Sequence, residues 1–214
     1  MPIRTINPVL KNMAIGLVTA VCIVLIACNG KSTKPKAGAG YSFPTPTGWQ
    51  EEKIPFPIEF ATQIPYKGLE ILRFPPGWAF PTSDEHWTYS FVWWLDGRPD
   101  INEKNLQENM TMYYTGLIGR NITEKKIPAN KVTPISVTIQ KIETDSDDKE
   151  TYGGKITITD YNDSTFRALD LNCRIHKREC GSHTAVIFQI SPQPAGHAVW
   201  KSLNDLLKGF SCEN

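Results

Sequence analysis

The sequence has no surplus of charge of either sign: 23 Lys and Arg stand against 22 Asp and Glu in 214 residues. A nucleic-acid footprint needs a basic stripe, so that class is set aside. Long apolar runs are scarce as well. Residues 13–27 form the single one, which excludes a multi-spanning membrane protein. Catalytic signatures are missing too. Gly30-Lys31-Ser32 has Leu25 where a phosphate-binding loop needs its first Gly, and Gly181-Ser182-His183 lacks the second Gly of a nucleophile elbow. What is present points to a packed domain. A hydrophobic content of 40% with 10% aromatics is too apolar for a disordered chain, and the length fits one domain with a tail.

The N-terminal segment carries the clearest signal. Arg4 and Lys11 precede the apolar residues 13–27, and no acid accompanies them. A helix of that length spans roughly 22 Å, short of the ~30 Å hydrocarbon core. A positive stretch followed by a short apolar one reads as a secretory signal. The run closes with Leu25-Ile26-Ala27-Cys28. This resembles the lipobox of bacterial lipoproteins, in which Leu, a tolerant position and a small residue precede the acceptor Cys. The resemblance implies that residues 1–27 are a lipoprotein signal peptide and that Cys28 is the lipidated first residue of the mature chain. Asn29 is not the Asp that retains many such proteins at the inner membrane. The resemblance therefore favours the outer membrane, with the domain facing the periplasm. Residues 28–48 are rich in Gly, Pro, Thr and Lys and poor in large apolar side chains, the composition of a flexible tether. Loss of the leader removes Arg4 and Lys11 and no acid, taking the formal charge from +1 to −1. The membrane is thus expected as a partner through the lipid, and nucleic acid is not.

Residues 49–214 read as a single α+β domain. Repeated Pro at 44, 46, 55, 57 and 65 excludes long helices, so this stretch is extended and docks through Trp49, Phe56 and Phe60. Trp87, Tyr89, Phe91, Trp93 and Leu95 alternate with more polar residues, the period of a half-buried strand. Asp100 stands three residues before Glu103, a capping-box pattern, and Leu106, Met110, Tyr113, Tyr114 and Leu117 follow at helical spacing over 101–118. Gly116 and Gly119 mark its expected end. Strands are expected over 135–142, 155–160, 167–175 and 184–191, with turns near 144–150 and 177–181. Val199, Leu203, Leu206, Leu207 and Phe210 form a last amphipathic stripe. Short connections between successive strands imply an antiparallel β-sheet, a meander, packed against two amphipathic helices. This layout resembles the family of photosystem II protein P and Mog1. No functional residue maps across that resemblance.

Candidate sites are few. Cys173, Cys180 and Cys212 lie in the expected exported part, where disulfides form. Cys173 shares the apolar parity of Leu169 and Leu171, and Cys180 lies across the expected turn, so a Cys173–Cys180 disulfide is the favoured pairing. The alternative ties Cys212 and the last helix to this hairpin. Cys173, His176, Cys180 and His183 together could form a tetrahedral zinc set, but Cys173 and His176 differ in strand parity, so no metal is expected. Asp84-Glu85-His86 is the densest titratable cluster, and its three neighbours point three ways, as in a solvated loop. Asp145, Asp147, Asp148 and Glu150 lack the Gly and Glu of a calcium loop and read as a polar hairpin tip. The aromatic strand reads as core. Trp94 points to its other face and is a contact residue if nothing covers it. The expectation is therefore a lipid-anchored envelope protein, a non-catalytic binding or scaffolding module without a cofactor, whose partner is an envelope protein or a small ligand. The alternative is an envelope hydrolase or metal enzyme using His86 and Asp84, or the His176/His183 hairpin.

Overall fold

The computed structural model describes residues 40–213. Cys28, the signal peptide and the first part of the expected tether lie outside the described residues. Seven strands form one antiparallel sheet: β2 (Gln50–Pro55), β3 (Gly68–Phe74), β4 (Tyr89–Asp96), β5 (Ser136–Lys141), β6 (Glu150–Thr159), β7 (Ala168–Cys180) and β8 (His183–Ser191). Their spatial order is β2-β3-β4-β8-β7-β6-β5. Helix α1 (Glu103–Lys125) follows β4, and helix α2 (Ala198–Gly209) follows β8. Among the described residues no helix is long and apolar enough to cross a membrane.

The helices lie on opposite faces of the sheet. Odd residues of β4 and even residues of β8 face α1, where Leu106, Met110, Tyr113, Tyr114 and Ile118 meet them in one apolar cluster. Phe91 stacks on Phe188 at 4.3 Å between ring centroids, and Trp93 meets Phe188 at 4.8 Å. The aromatic strand is core, as its period requires. Val92, Trp94, Ala185 and Ile187 face the other way, toward Leu206 and Phe210 at the end of α2.

Helix α1 begins two residues later than Asp100 and Glu103 imply. Asn102 is the cap: its side chain accepts the Asn105 N–H at 3.1 Å, and the Asn105 side chain accepts the Asn102 N–H at 2.8 Å. Glu103 instead accepts the Lys141 N–H at 2.6 Å, and Gln107 accepts the Ile139 N–H at 3.3 Å. Two outward N–H groups of edge strand β5 are thereby satisfied, which blunts that edge. Gly116 does not end the helix. A Cβ there would lie 1.6 Å from the Phe60 carbonyl oxygen, so the glycine permits a close crossing of backbones. The helix stops at Lys126, which takes a left-handed conformation with φ 54°.

The tether boundary also moves. Tyr41–Ser42 (β1) pairs antiparallel with Ser211–Cys212 (β9), and Glu213 donates its N–H to the Gly40 carbonyl at 2.9 Å. Phe43 is buried, and the Arg73 guanidinium beneath it donates to the Phe43 and Pro44 carbonyls. Aromatic side chains at 41 and 43 explain why this stretch docks, although its composition otherwise reads as linker.

Strand β7 runs unbroken to Cys180, and Gly181 (φ 59°) with Ser182 makes the turn. This overturns the favoured Cys173–Cys180 pairing. The two cysteines sit seven positions apart on one strand, about 23 Å at ~3.3 Å per residue, and on opposite faces. The disulfide joins Cys180 to Cys212, with Cα atoms 5.3 Å apart, and Cys173 is a buried thiol on the α1 face. The turn was expected at 177–181 because Lys177, Arg178 and Glu179 are charged. They extend the hairpin instead, and their side chains bond to Glu150, Asp148 and Arg98.

Candidate functional site

Helix α2 leaves half of its face of the sheet open. It covers β4 and β8, while the side chains of β5, β6 and β7 with that orientation include Thr138, Gln140, Lys155, Asn172 and Arg174. The connection after β5 folds over this open half as one wall. Pro192, Pro194, Trp200 and Asn204 make the opposite wall. Between them runs a groove of 1030 Å³. Its floor is Gly153 and Gly154 on β6, which bring no side chain into it. A Cβ at Gly153 would sit 3.5 Å from Ile142, an ordinary contact, whereas one at Gly154 would lie 2.0 Å from the Thr138 carbonyl oxygen. One glycine leaves space and the other lets β5 approach. A recess of 370 Å³ adjoins the groove through the shared Gly153, Lys155 and Asn172 and continues to β5.

A buried polar network fixes the loop wall. The Asp148 carboxylate has a side-chain exposure of 0% and accepts from Thr151 Oγ1 at 2.7 Å, from Arg178 Nε at 2.9 Å and from His176 Nδ1 at 2.6 Å. Burial alone raises this carboxyl, but the His176, Arg178 and Thr151 hydrogen bonds outweigh it and hold it below the ordinary value. On the other side of the ring, His176 Nε2 lies 3.1 Å from Gln189 Oε1, and Gln189 Nε2 donates to Asn204 Oδ1 at 3.1 Å. A chain of hydrogen bonds thus runs from the loop, under the sheet face, to helix α2. Asp145 closes the loop by accepting from Arg174 at 2.8 Å.

Asp145, Asp148 and His176 stand close enough to share a metal ion. The two arginines already neutralise the two carboxylates, and the His176 Nδ1 lone-pair position is spent on Asp148, so the cluster is a salt-bridge network in this arrangement. His176 is also no general base for the groove. Its ring is buried, and both nitrogens face protein oxygens.

The other residues singled out in the sequence are dispersed. His86 is buried and pairs with Asp160, not with Asp84: Nε2 lies 2.9 Å from Asp160 Oδ2, while Asp84 is exposed, 3.9 Å from His197. Asp160 also accepts from Trp87 Nε1 at 2.8 Å and from the backbone N–H groups of Asn162 and Asp163, so it fastens two loops together. His183 stacks on Trp94 at 4.7 Å and does not approach His176, whose ladder partner is Ile187. The His176/His183 pair of the enzyme alternative is not assembled, because the longer β7 spreads the two histidines along the ladder. Nor are the four proposed zinc ligands, since Cys180 is in the disulfide and Cys173 is on the far face. Trp94 is 6% exposed, so it is no contact residue. Gly40, Tyr41 and His183 cover it.

Asp148 reads in the sequence only as part of a polar hairpin tip, and Asp160, Gln189 and Asn204 carry no signal there, because isolated polar residues read as solvated. The Gly153-Gly154 doublet inside a strand is the signal that could have found the groove, since glycine in a strand marks a close approach or an open space.

No family model matches the chain, and no curated protein matches it by sequence. Among solved structures, the chain is similar to the solution structure of cyanobacterial PsbP (CyanoP) from Synechocystis sp. PCC 6803. The identity is 9%, the match covers 88% of this chain and 99% of that one, and the TM-score is 0.38. A likeness of that degree carries no argument about function.

Proposed function

We propose that this chain is a non-catalytic binding module, held at the cell envelope by a lipid on Cys28, whose groove over β5, β6 and β7 receives a segment of an envelope partner. The observation that carries this reading is the groove itself. Its 1030 Å³ lies at the top of the range for small-molecule sites, and it opens to solvent along a glycine floor. Such a trough suits an extended segment better than an enclosed metabolite. Mixed lining supports the same reading: Lys155, Asn172 and Asn204 offer polar contacts, while Pro194 and Trp200 offer apolar ones. The neighbouring His176 is occupied at both nitrogens and offers the groove no free base. In this reading the lipobox-like leader supports a domain in the periplasm, tethered to the outer membrane.

Two experiments test the two halves. Cys28→Ser should leave an unprocessed precursor that incorporates no labelled palmitate; normal processing and labelling would reject the anchor. For the groove, a photo-crosslinking residue is placed at Asn172 and, as a control, at Thr111 on the exposed side of α1. Crosslinking to one envelope species from position 172 only, abolished by Gly153→Leu, is the expected result. Equal crosslinking from both positions, or none from 172, rejects the groove as the docking site.

A further inference from the structure

The two edges of the sheet are finished differently. On β5 the outward N–H groups of Ile139 and Lys141 are taken by the Gln107 and Glu103 side chains of α1. Strand β2 forms the other edge, and among the described residues no strand pairs with its outer side. Gln50, Glu51, Glu52, Lys53 and Pro55 are exposed there, and Ile54 is half-buried. The ladder with β3 fixes which groups point outward. Phe56, one position beyond β2, donates its N–H to the Gly68 carbonyl at 3.1 Å, in register with the pairs Ile54–Glu70 and Glu52–Leu72. Antiparallel ladders alternate, so Ile54, Glu52 and Gln50 bond inward to β3, while Glu51 and Lys53 turn their N–H and C=O groups outward. Among the described residues those outward groups have no backbone partner.

A bare edge is a template for another strand, and charges on it select which strand fits. Here the charges alternate in sign on one face: Glu51 bonds to Lys53 at 2.8 Å and to Arg73 beneath it at 3.0 Å. That pattern complements itself. When two copies of β2 run antiparallel about a two-fold axis at Glu52, Glu51 of each copy stands opposite Lys53 of the other, and the outward N–H of both residues meets a carbonyl. Pro55, which has no N–H, then falls opposite Trp49, whose N–H is already given to the Pro46 carbonyl. Neither residue loses a bond by the pairing. An axis at Glu51 or at Lys53 instead sets like charges face to face, which is unfavourable. The chosen axis has one cost, Glu52 opposite Glu52 on the other face of the strand. The contact is also small: β2 offers six residues per copy, against ~20–30 a side in a standard interface. The association is therefore weak.

We propose that β2 is a self-association edge, through which two copies of this chain join their sheets into one, with Glu51 and Lys53 setting the register. The contact is isologous and uses up the edge on both copies. Because α1 side chains block β5, the assembly stops at a dimer and does not grow into a filament. The groove over β5, β6 and β7 lies at the far end of the sheet and stays open, so this inference does not depend on the partner proposed for it.

The test traps the contact in the full chain, purified in detergent and mildly oxidised. At the two-fold axis the two copies of residue 52 form a pair without backbone bonds, with Cα atoms about 4.5 Å apart, within reach of a disulfide. Glu52→Cys should therefore give a disulfide-linked dimer well above the wild-type background. Gln50→Cys alone should not, since residue 50 faces residue 54; mixed with Ile54→Cys, it should. Adding Lys53→Glu to Glu52→Cys sets like charges opposite Glu51 and should slow trapping about tenfold. Lys53→Pro removes an outward N–H without touching the β3 ladder and should slow it likewise, with melting curves showing that both variants fold. Dimer from Glu52→Cys at the wild-type level, or equal trapping from Gln50→Cys alone, overturns the self-pairing. Trapping unchanged by both Lys53 variants overturns the edge as its cause, and capture of a different protein by Glu52→Cys in place of a second copy overturns the proposed occupant.

Discussion

On the α1 face of the sheet, Phe91, Trp93, Phe188, Tyr113 and Met110 interlock in one apolar cluster that spans every strand from β3 to β8. On the α2 face a smaller apolar cluster covers β3, β4, β8 and the Cys180 end of β7, while Arg174, His176 and Arg178 of β7 carry salt bridges and hydrogen bonds to the loop that roofs them. One face is filled by shape, where a lost fit is costly; the other is held by paired charges and a cross-link, where open space is tolerated. The first therefore suits stability, and the second leaves room for the partner segment proposed for the groove.

The comparison breaks most severely at Gly116. A side chain there meets the Phe60 backbone, which cannot yield as a flexible side chain does. Gly116→Leu should cost more than about 4 kcal/mol and leave little folded protein, as read by denaturant unfolding. A result below 1 kcal/mol would mean that the α1 face is loosely packed.

Glu70 is an acid buried beside the α1 cluster, with Trp93 Nε1 donating to it at 3.2 Å. Burial raises its carboxyl to about 8. The native state then keeps a proton that the unfolded chain releases near pH 4.5, so stability falls as pH rises from about 4.5 to about 8 and is level below that range. At about 1.4 kcal/mol per pH unit the loss amounts to several kcal/mol. Glu70→Gln should remove this slope and raise Tm at pH 8; an unchanged slope would assign the dependence to other groups.

The α2 face should respond less. Cys180→Ser opens a cross-link between residues 32 apart, worth about 3.7 kcal/mol in the chain-entropy model, and thermal melts under oxidising conditions should show it. Cys173→Ser should not change the disulfide content measured by mass spectrometry. Smallest of all is Gly153→Ala, which should shift stability by about 0.5 kcal/mol or less, because its Cβ finds ordinary contacts. A loss above 2 kcal/mol would show that the groove floor is under strain.

The α1 face was the legible one. Alternation over Tyr89–Asp96 and helical spacing from Leu106 to Tyr114 follow directly from burial on one side. Trp87 fits the same alternation yet belongs to a turn, with φ 52°, and is held by Asp160, 73 residues away. The α2 face was opaque for that reason: its order rests on pairs such as His176 with Asp148 and Arg73 with Phe43, which join distant polar or linker-like segments. Hydrophobic periodicity carries no record of such pairs. The hairpin end at Cys180 was missed because charged Lys177 to Glu179 imitate a turn, although Gly181-Ser182 is the better turn pair.

The hydrogen bond from Glu213 to Gly40 brings the two ends of the described fold to a single corner. Topologically the domain is close to a ring, interrupted where β1 and β9 lie side by side. Chain continuity is then interchangeable between that corner and any exposed turn. A short bridge from Glu213 to Gly40, with new ends opened at Gly97 beside the Asp96 turn, describes the same strands in the same order around the sheet. The corner also sets where force would enter: Gly40 lies beside the Cys180–Cys212 cross-link, so tension on the chain before it, as the proposed lipid anchor would apply, would reach the part of the α2 face that is covalently fastened.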